Sequence, residues 1–156
     1  MATSFLMPRP ARRRARLLGV AVVSAGAWLG GELSYGLGIN VDQGARREGP
    51  ETFTPVVPAS EVREGRLLGA EVDGTPIVLT QRGEAILAVV AVCPHLGGRL
   101  AEGSLDGDVV ACPWHGSRCS MREGTVAGGP ASTPPARLEA RVGAREMAEV
   151  RAAPSR

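Results

Sequence analysis

Residues 86–98 read ILAVVAVCPHLGG, seven apolar residues that end at the Cys93-Pro94 step. A run this short, rich in Val and closed by turn residues, reads as an apolar strand that runs straight into Cys93. Pro94 removes a backbone donor and stops the ladder, and Gly97-Gly98 behind it lets the chain bend tightly. The pattern returns at 109–117, VVACPWHGS, where a second strand runs into Cys112-Pro113. Working outward, runs of period two lie at 67–72 and 77–80, closed by Asp73-Gly74 and Arg82-Gly83. Asp106-Gly107-Asp108 precedes the second strand, and runs at 138–142 and 147–151 flank Gly143-Ala144. Apolar alternation broken by Gly-containing turns is the signature of antiparallel hairpins. No helical period longer than two turns and no internal repeat follows residue 53, so residues 54–151 are predicted to be an all-β, antiparallel domain.

Composition limits what that domain does. The chain has 156 residues, 44% apolar and 22% charged, which suits one globular domain with a smaller appendage. From residue 54 onward Trp114 is the only aromatic residue, so the core there is built from Val, Leu, Ile and Ala. All 18 basic residues are Arg. Residues 1–53 hold seven Arg against four acids, and residues 54–156 hold eleven against twelve. The β domain is thus near neutral and offers no basic face to nucleic acid. Three Cys argue against a disulfide-stapled secreted module.

The positive excess lies at the N-terminus. Arg9, Arg12, Arg13, Arg14 and Arg16 come before residues 17–31, LLGVAVVSAGAWLGG, which carry no charge. A spanning helix wants about 20 apolar residues, a length reached only if the run continues through Glu32 towards Leu37 or Ile39. Three readings compete. One is a single-pass membrane helix with Trp28 and Tyr35 at the far interface and the Arg cluster cytoplasmic. Another is an export signal with Arg12-Arg13 as a twin-arginine pair, which lacks a clear Ala-x-Ala site. The third is a soluble helix, poorly served by four glycines. The membrane helix is the expectation, with residues 1–39 as flank and helix and residues 40–53 as linker.

The chemistry is concentrated in the two Cys-Pro loops. Cys93 and His95 belong to the first, Cys112 and His115 to the second, and together they use both His and two of the three Cys. Zinc would draw all four onto one ion in a closed tetrahedral site. A Rieske-type [2Fe–2S] cluster would divide them, two thiolates on one iron and two imidazoles on the other. Zinc sites, however, usually present Cys-x₂₋₄-Cys pairs, and none is present.

The spacing Cys-x-His, sixteen residues, Cys-x-x-His resembles the Rieske family, and the resemblance runs from about Thr54 to Val150. It includes the HLGG and CPWHGS contexts, and Gly128-Gly129-Pro130-Ala131 matches the family's proline-rich third loop. The resemblance implies a Rieske-type β sandwich with a cluster-binding subdomain. By the same match Cys93 and Cys112 bind the inner iron, and His95 and His115 the outer. Ser117 matches a hydroxyl donor to the cluster sulfurs. Cys119 stands where some members place a Tyr donor, and its expected role is that of a small buried hydrophobe. Gly98 and Trp114 stand where the proteins of quinol-oxidising complexes carry a disulfide. One donor of two and no bridge point to the ferredoxin and oxygenase branch or to the stand-alone bacterial Rieske proteins, with a potential in the lower half of the Rieske range.

Residues 28–42, WLGGELSYGLGINVD, also resemble the end of a bacterial membrane-bundle family often fused to Rieske domains. The expected function is one-electron transfer to or from a redox protein such as a reductase, cytochrome or oxygenase. Alternatives are a subunit of a quinol-oxidising membrane complex and a structural zinc module. Catalysis by this chain alone fails on counting, because an oxygenase iron needs two further His.

Overall fold

The computed structural model describes residues 9–37, 41–44, 47 and 49–154. Ile39, the far limit of the expected helix, lies outside the described residues, as do residues 1–8. The chain divides into two compact units, Met1–Ile39 and Asn40–Arg156.

In the first unit, helix α1 (Arg9–Gly31) starts within the Arg-rich flank and continues as one π-helical turn, Glu32–Gly36. Ala11–Gly36, 26 residues, is long and apolar enough to cross a membrane. Leu17, Leu18, Val20, Val22, Val23, Trp28 and Leu29 are all exposed along it. The apolar side chains point outward all round, a pattern that suits lipid better than water.

The described residues of the second unit form ten strands. A six-stranded antiparallel sheet has the order β1 (Thr54–Pro58), β10 (Met147–Ala152), β9 (Arg137–Val142), β4 (Ala85–Val90), β3 (Thr75–Arg82), β2 (Leu68–Val72). A smaller antiparallel sheet has the order β5 (Ser104–Asp106), β6 (Val109–Ala111), β7 (Arg118–Ser120), β8 (Thr125–Gly128). The turns foreseen from sequence carry the strain expected of them: Asp73, Gly74, Gly83 and Gly107 all have positive φ. Neither of the residues that turn the last hairpin is glycine: Arg145 and Glu146 are left-handed at φ 58° and 57°.

Two apolar clusters explain the continuous apolar run at residues 86–92. Ile77, Leu79 and Ala88 face a cluster with Val62, Val72, Leu138, Ala148 and Val150. Their neighbours Val78, Leu87, Val89 and Ala91 face the opposite way, into a cluster shared with Val110, Leu100 and Met121 of the smaller sheet and its connections. Strands β3 and β4 are therefore covered on both sides, which is why alternation disappears there. Burying each of the Val, Leu, Ile and Met side chains among them contributes about 1.5–3 kcal/mol. The second cluster also receives Cys93, two residues beyond Ala91 and on the same face, together with Cys112 and Cys119.

Candidate metal centre

Both Cys-Pro loops fold by one local rule. In the first, the Cys93 N–H donates to the Gly98 carbonyl (2.8 Å) and the Gly97 N–H to the Cys93 carbonyl (2.8 Å). In the second, the Cys112 N–H donates to the Ser117 carbonyl (2.8 Å) and the Gly116 N–H to the Cys112 carbonyl (3.1 Å). Gly97 and Gly116 occupy matching places, with φ of 79° and 70°. Only a residue without a Cβ takes that conformation at no cost.

These turns sort the donors by depth. Cys93 and Cys112 are buried and unbridged, and their thiols meet in a hydrogen bond. His95 is half-buried and His115 exposed. Their ring centroids lie 5.0 Å apart with planes at 89°. Two sulfurs inside and two imidazoles outside form two pairs. That division suits two irons better than a single zinc.

Electrostatics follow burial. Burial pushes the Cys112 thiol up, the Trp114 and His115 backbone N–H groups pull it back, and the Cys93 thiol adds to the rise. Those two amides aim at the sulfur and favour its anionic form. Cys119 is pushed up to about 11, first by burial and then by the neighbouring Cys93 and Cys112. A thiol so held is a packing group.

Three features test the fit of a cluster. The Ser117 hydroxyl is fully buried with no hydrogen-bond partner, a costly state unless something accepts its proton. A Cβ on Gly98 would lie 2.8 Å from the Cys112 Sγ and 3.1–3.2 Å from the Trp114 ring. A Cβ on Gly129, at φ 86°, would lie 2.7 Å from the Gly116 carbonyl oxygen and the Ser117 Cα. The third loop therefore presses on the second. Gly98 and Trp114 do face each other, so the indole fills the space a bridging disulfide would use.

Residues 52–148 match the Rieske [2Fe-2S] domain. The chain belongs to the Rieske family. Ferredoxin CarAc of Metapseudomonas resinovorans is 31% identical over 54% of this chain and 79% of that protein. The ferredoxin component of the naphthalene 1,2-dioxygenase system of Pseudomonas aeruginosa is 31% identical over 47% of this chain and 71% of its own length. The ferredoxin of carbazole 1,9a-dioxygenase from Nocardioides aromaticivorans IC177 shares the fold, with a TM-score of 0.60 and 21% identity over 66% of this chain and all of that one. This Rieske protein carries a [2Fe–2S] cluster and transfers electrons, and the relatives it matches over most of their length are ferredoxin components, electron carriers and not catalytic subunits.

Some details lie beyond the sequence reading. The amides of Trp114 and His115 that reach the Cys112 sulfur belong to the backbone and leave no mark in residue types. Arg99 and Arg118, which follow the two loops, are paired with Glu102 (3.5 Å) and Asp106 (3.2 Å).

Proposed function

We propose that Cys93 and Cys112 hold one iron, that His95 and His115 hold the other, and that α1 anchors this carrier in a membrane. The observation that carries the ligand assignment is the pairing itself: buried thiols in mutual contact beneath two imidazoles 5.0 Å apart. When bound, the cluster supplies a one-electron couple whose neutral imidazole ligands raise its potential above plant-type ferredoxins.

Each surrounding residue has a part. The Trp114 and His115 amides and the Ser117 hydroxyl donate towards sulfur and stabilise added negative charge. Met121, Leu100 and Val110 keep the thiolate side dry. The exposed His115 edge is the route by which an electron meets a partner. Trp114, 57% exposed and edge-on to His115 at 6.5 Å, lies over Gly98 as a lid beside the cluster loops. The partner class is a redox protein of the oxygenase or membrane-associated kind, an idea supported by the ferredoxin components among its relatives.

Absorption and EPR spectra of the purified full-length protein test the assignment. A red-brown protein whose reduced form gives a rhombic signal with average g below 2 is expected. Stoichiometric zinc without iron, in protein matured where cluster assembly operates, would overturn it.

A further inference from the structure

The two cluster loops share their internal hydrogen bonds but are braced from outside by different segments. The second is pressed by Gly129 of the third loop. The first is met by the chain that enters the domain. There the Gln43 N–H donates to the Pro94 carbonyl (3.2 Å), the peptide between Cys93 and His95. The turn that aims it is itself tied: the Gly44 N–H donates to the Asp42 Oδ1 (2.8 Å), and the Arg47 N–H to the Gly44 carbonyl (2.8 Å). Gly44 is buried, and a Cβ added to it would lie 3.2 Å from the Asp42 Oδ1. Further along, the Ala152 N–H donates to the Pro50 carbonyl (2.7 Å), so the entering chain is held on β10 as well.

We infer that residues 41–44 form a strap that positions the first cluster loop, with the Gln43 amide and the Asp42 cap as its positioning groups. The inference rests on the ligand assignment above, since it matters only if Cys93 and His95 both hold iron. The Pro94 carbonyl sits between those two residues. A donor that satisfies it from outside fixes the peptide plane, and with it the directions in which Cys93 and His95 leave the backbone. This carbonyl belongs to the Pro94–His95 peptide, and Pro94 has no N–H of its own with which the loop could add a second tie at the neighbouring Cys93–Pro94 peptide. The Asx turn at Asp42 presets the Gln43 amide and lowers the entropy lost in making the bond.

The test uses the full-length protein. Gln43→Pro deletes the donor, Asp42→Ala deletes the cap, and Asp42→Asn retains an oxygen in the capping position. Cluster loss to excess bathophenanthroline disulfonate is timed by visible absorbance, and g values are read from the reduced protein. Gln43→Pro and Asp42→Ala should lose the cluster about fivefold faster, the change expected of one backbone hydrogen bond of ordinary net strength. Their g values should be displaced, while far-UV circular dichroism stays that of the parent and Asp42→Asn behaves as the parent. Parent-like loss rates and g values in both Gln43→Pro and Asp42→Ala would overturn the strap. Failure of the ligand assignment would look different, because the parent itself would then lack the Rieske spectrum.

Discussion

His95 and His115 come from separate loops, yet their rings meet edge to face, with centroids 5.0 Å apart and planes at 89°. Neither ring is fully enclosed, whereas the thiols of the same loops are buried. Replacing His115 by Ala should therefore abolish the native absorption and EPR spectra, since no spare imidazole exists to take its place. Cys119→Ala is the contrasting variant. Cys119 is fully buried among Val110, Met121 and the two candidate ligand thiols, and its deletion removes roughly one methylene-sized group at about 1 kcal/mol. Its spectra should stay close to those of the parent, and loss of the cluster in Cys119→Ala would show that the third thiol is a ligand.

The potential follows from the same surroundings. Rieske centres span about −150 to +300 mV, and donors to the sulfurs move them upward. Ser117 offers a strong hydroxyl, Cys119 only a weak thiol, and Gly98 and Trp114 replace a disulfide. Protein-film voltammetry at pH 7 should place this protein in the lower half of that range. Cys119→Ser supplies a hydroxyl of nearly the same size and should raise the potential. A larger Tyr would also add a donor, but it must enter a site with no exposed surface, where overpacking costs about 1–3 kcal/mol. A parent value near the top of the range would refute the argument.

Much of this was legible in the residues because it rests on punctuation. The Gly turns after β2, β3 and β5 and the two Cys-Pro steps mark strand ends directly, and the spacing picks out the four residues that the fold brings together as two pairs. Strands β5, β7 and β8 were not legible. Each has three or four residues, and Arg118–Ser120 goes from exposed to buried without alternation, so pairing with neighbours defines them and periodicity does not. The contact between Gly98 and Trp114 was hidden for another reason. Sequence shows that a disulfide is absent, but only packing shows what fills its place.

That contact yields a third prediction. Gly98→Ala adds a Cβ 2.8 Å from the Cys112 Sγ and 3.1 Å from the indole. Something must shift, and Trp114 is the side with room because it already faces solvent. The variant should fold, with stability lowered by about 1–3 kcal/mol. Its Trp114 fluorescence should shift to the red, and its cluster should be lost faster to a chelator. A variant indistinguishable from the parent in both respects would mean that the indole does not cover this loop.

A fourth concerns Asp108, at the turn between β5 and β6. Hydrogen bonds from Arg122 and then Arg82 hold its carboxyl below the ordinary 3.8, and the Arg82 Nε lies 2.8 Å from it. Arg82 also reaches Glu64 (3.0 Å), so the smaller sheet is tied to β3. A carboxylate whose folded pKa is depressed contributes stability in full above its ordinary value. That contribution is lost as pH falls through the lowered value. Asp108→Asn should therefore lower the urea midpoint at pH 7, and the difference from the parent should shrink below about pH 4. Because these side chains are half-exposed, the effect is modest and should also diminish in high salt. A gap that persists unchanged into acid would mean that packing, and not charge, is responsible.

The last prediction concerns location. Ala11–Gly36 is a helix of 26 residues with its apolar side chains outward, long enough to cross about 30 Å of hydrocarbon at 1.5 Å per residue. The Arg cluster at its start favours the cytoplasmic side. The full-length protein should therefore stay with the membrane fraction through an alkaline carbonate wash. A single span then carries the Rieske domain to the outer side, which requires export of a folded, cluster-loaded domain, and Arg12-Arg13 is compatible with the twin-arginine route. The resemblance of residues 28–42 to the end of a membrane bundle supports the anchor and leaves the side open, because in a multi-helix bundle the domain could equally stay inside. Protease added to spheroplasts separates the two: digestion of the β domain means outside, and protection until lysis means inside. Recovery of the full-length chain in the carbonate-soluble fraction would defeat the anchor, whichever side was expected.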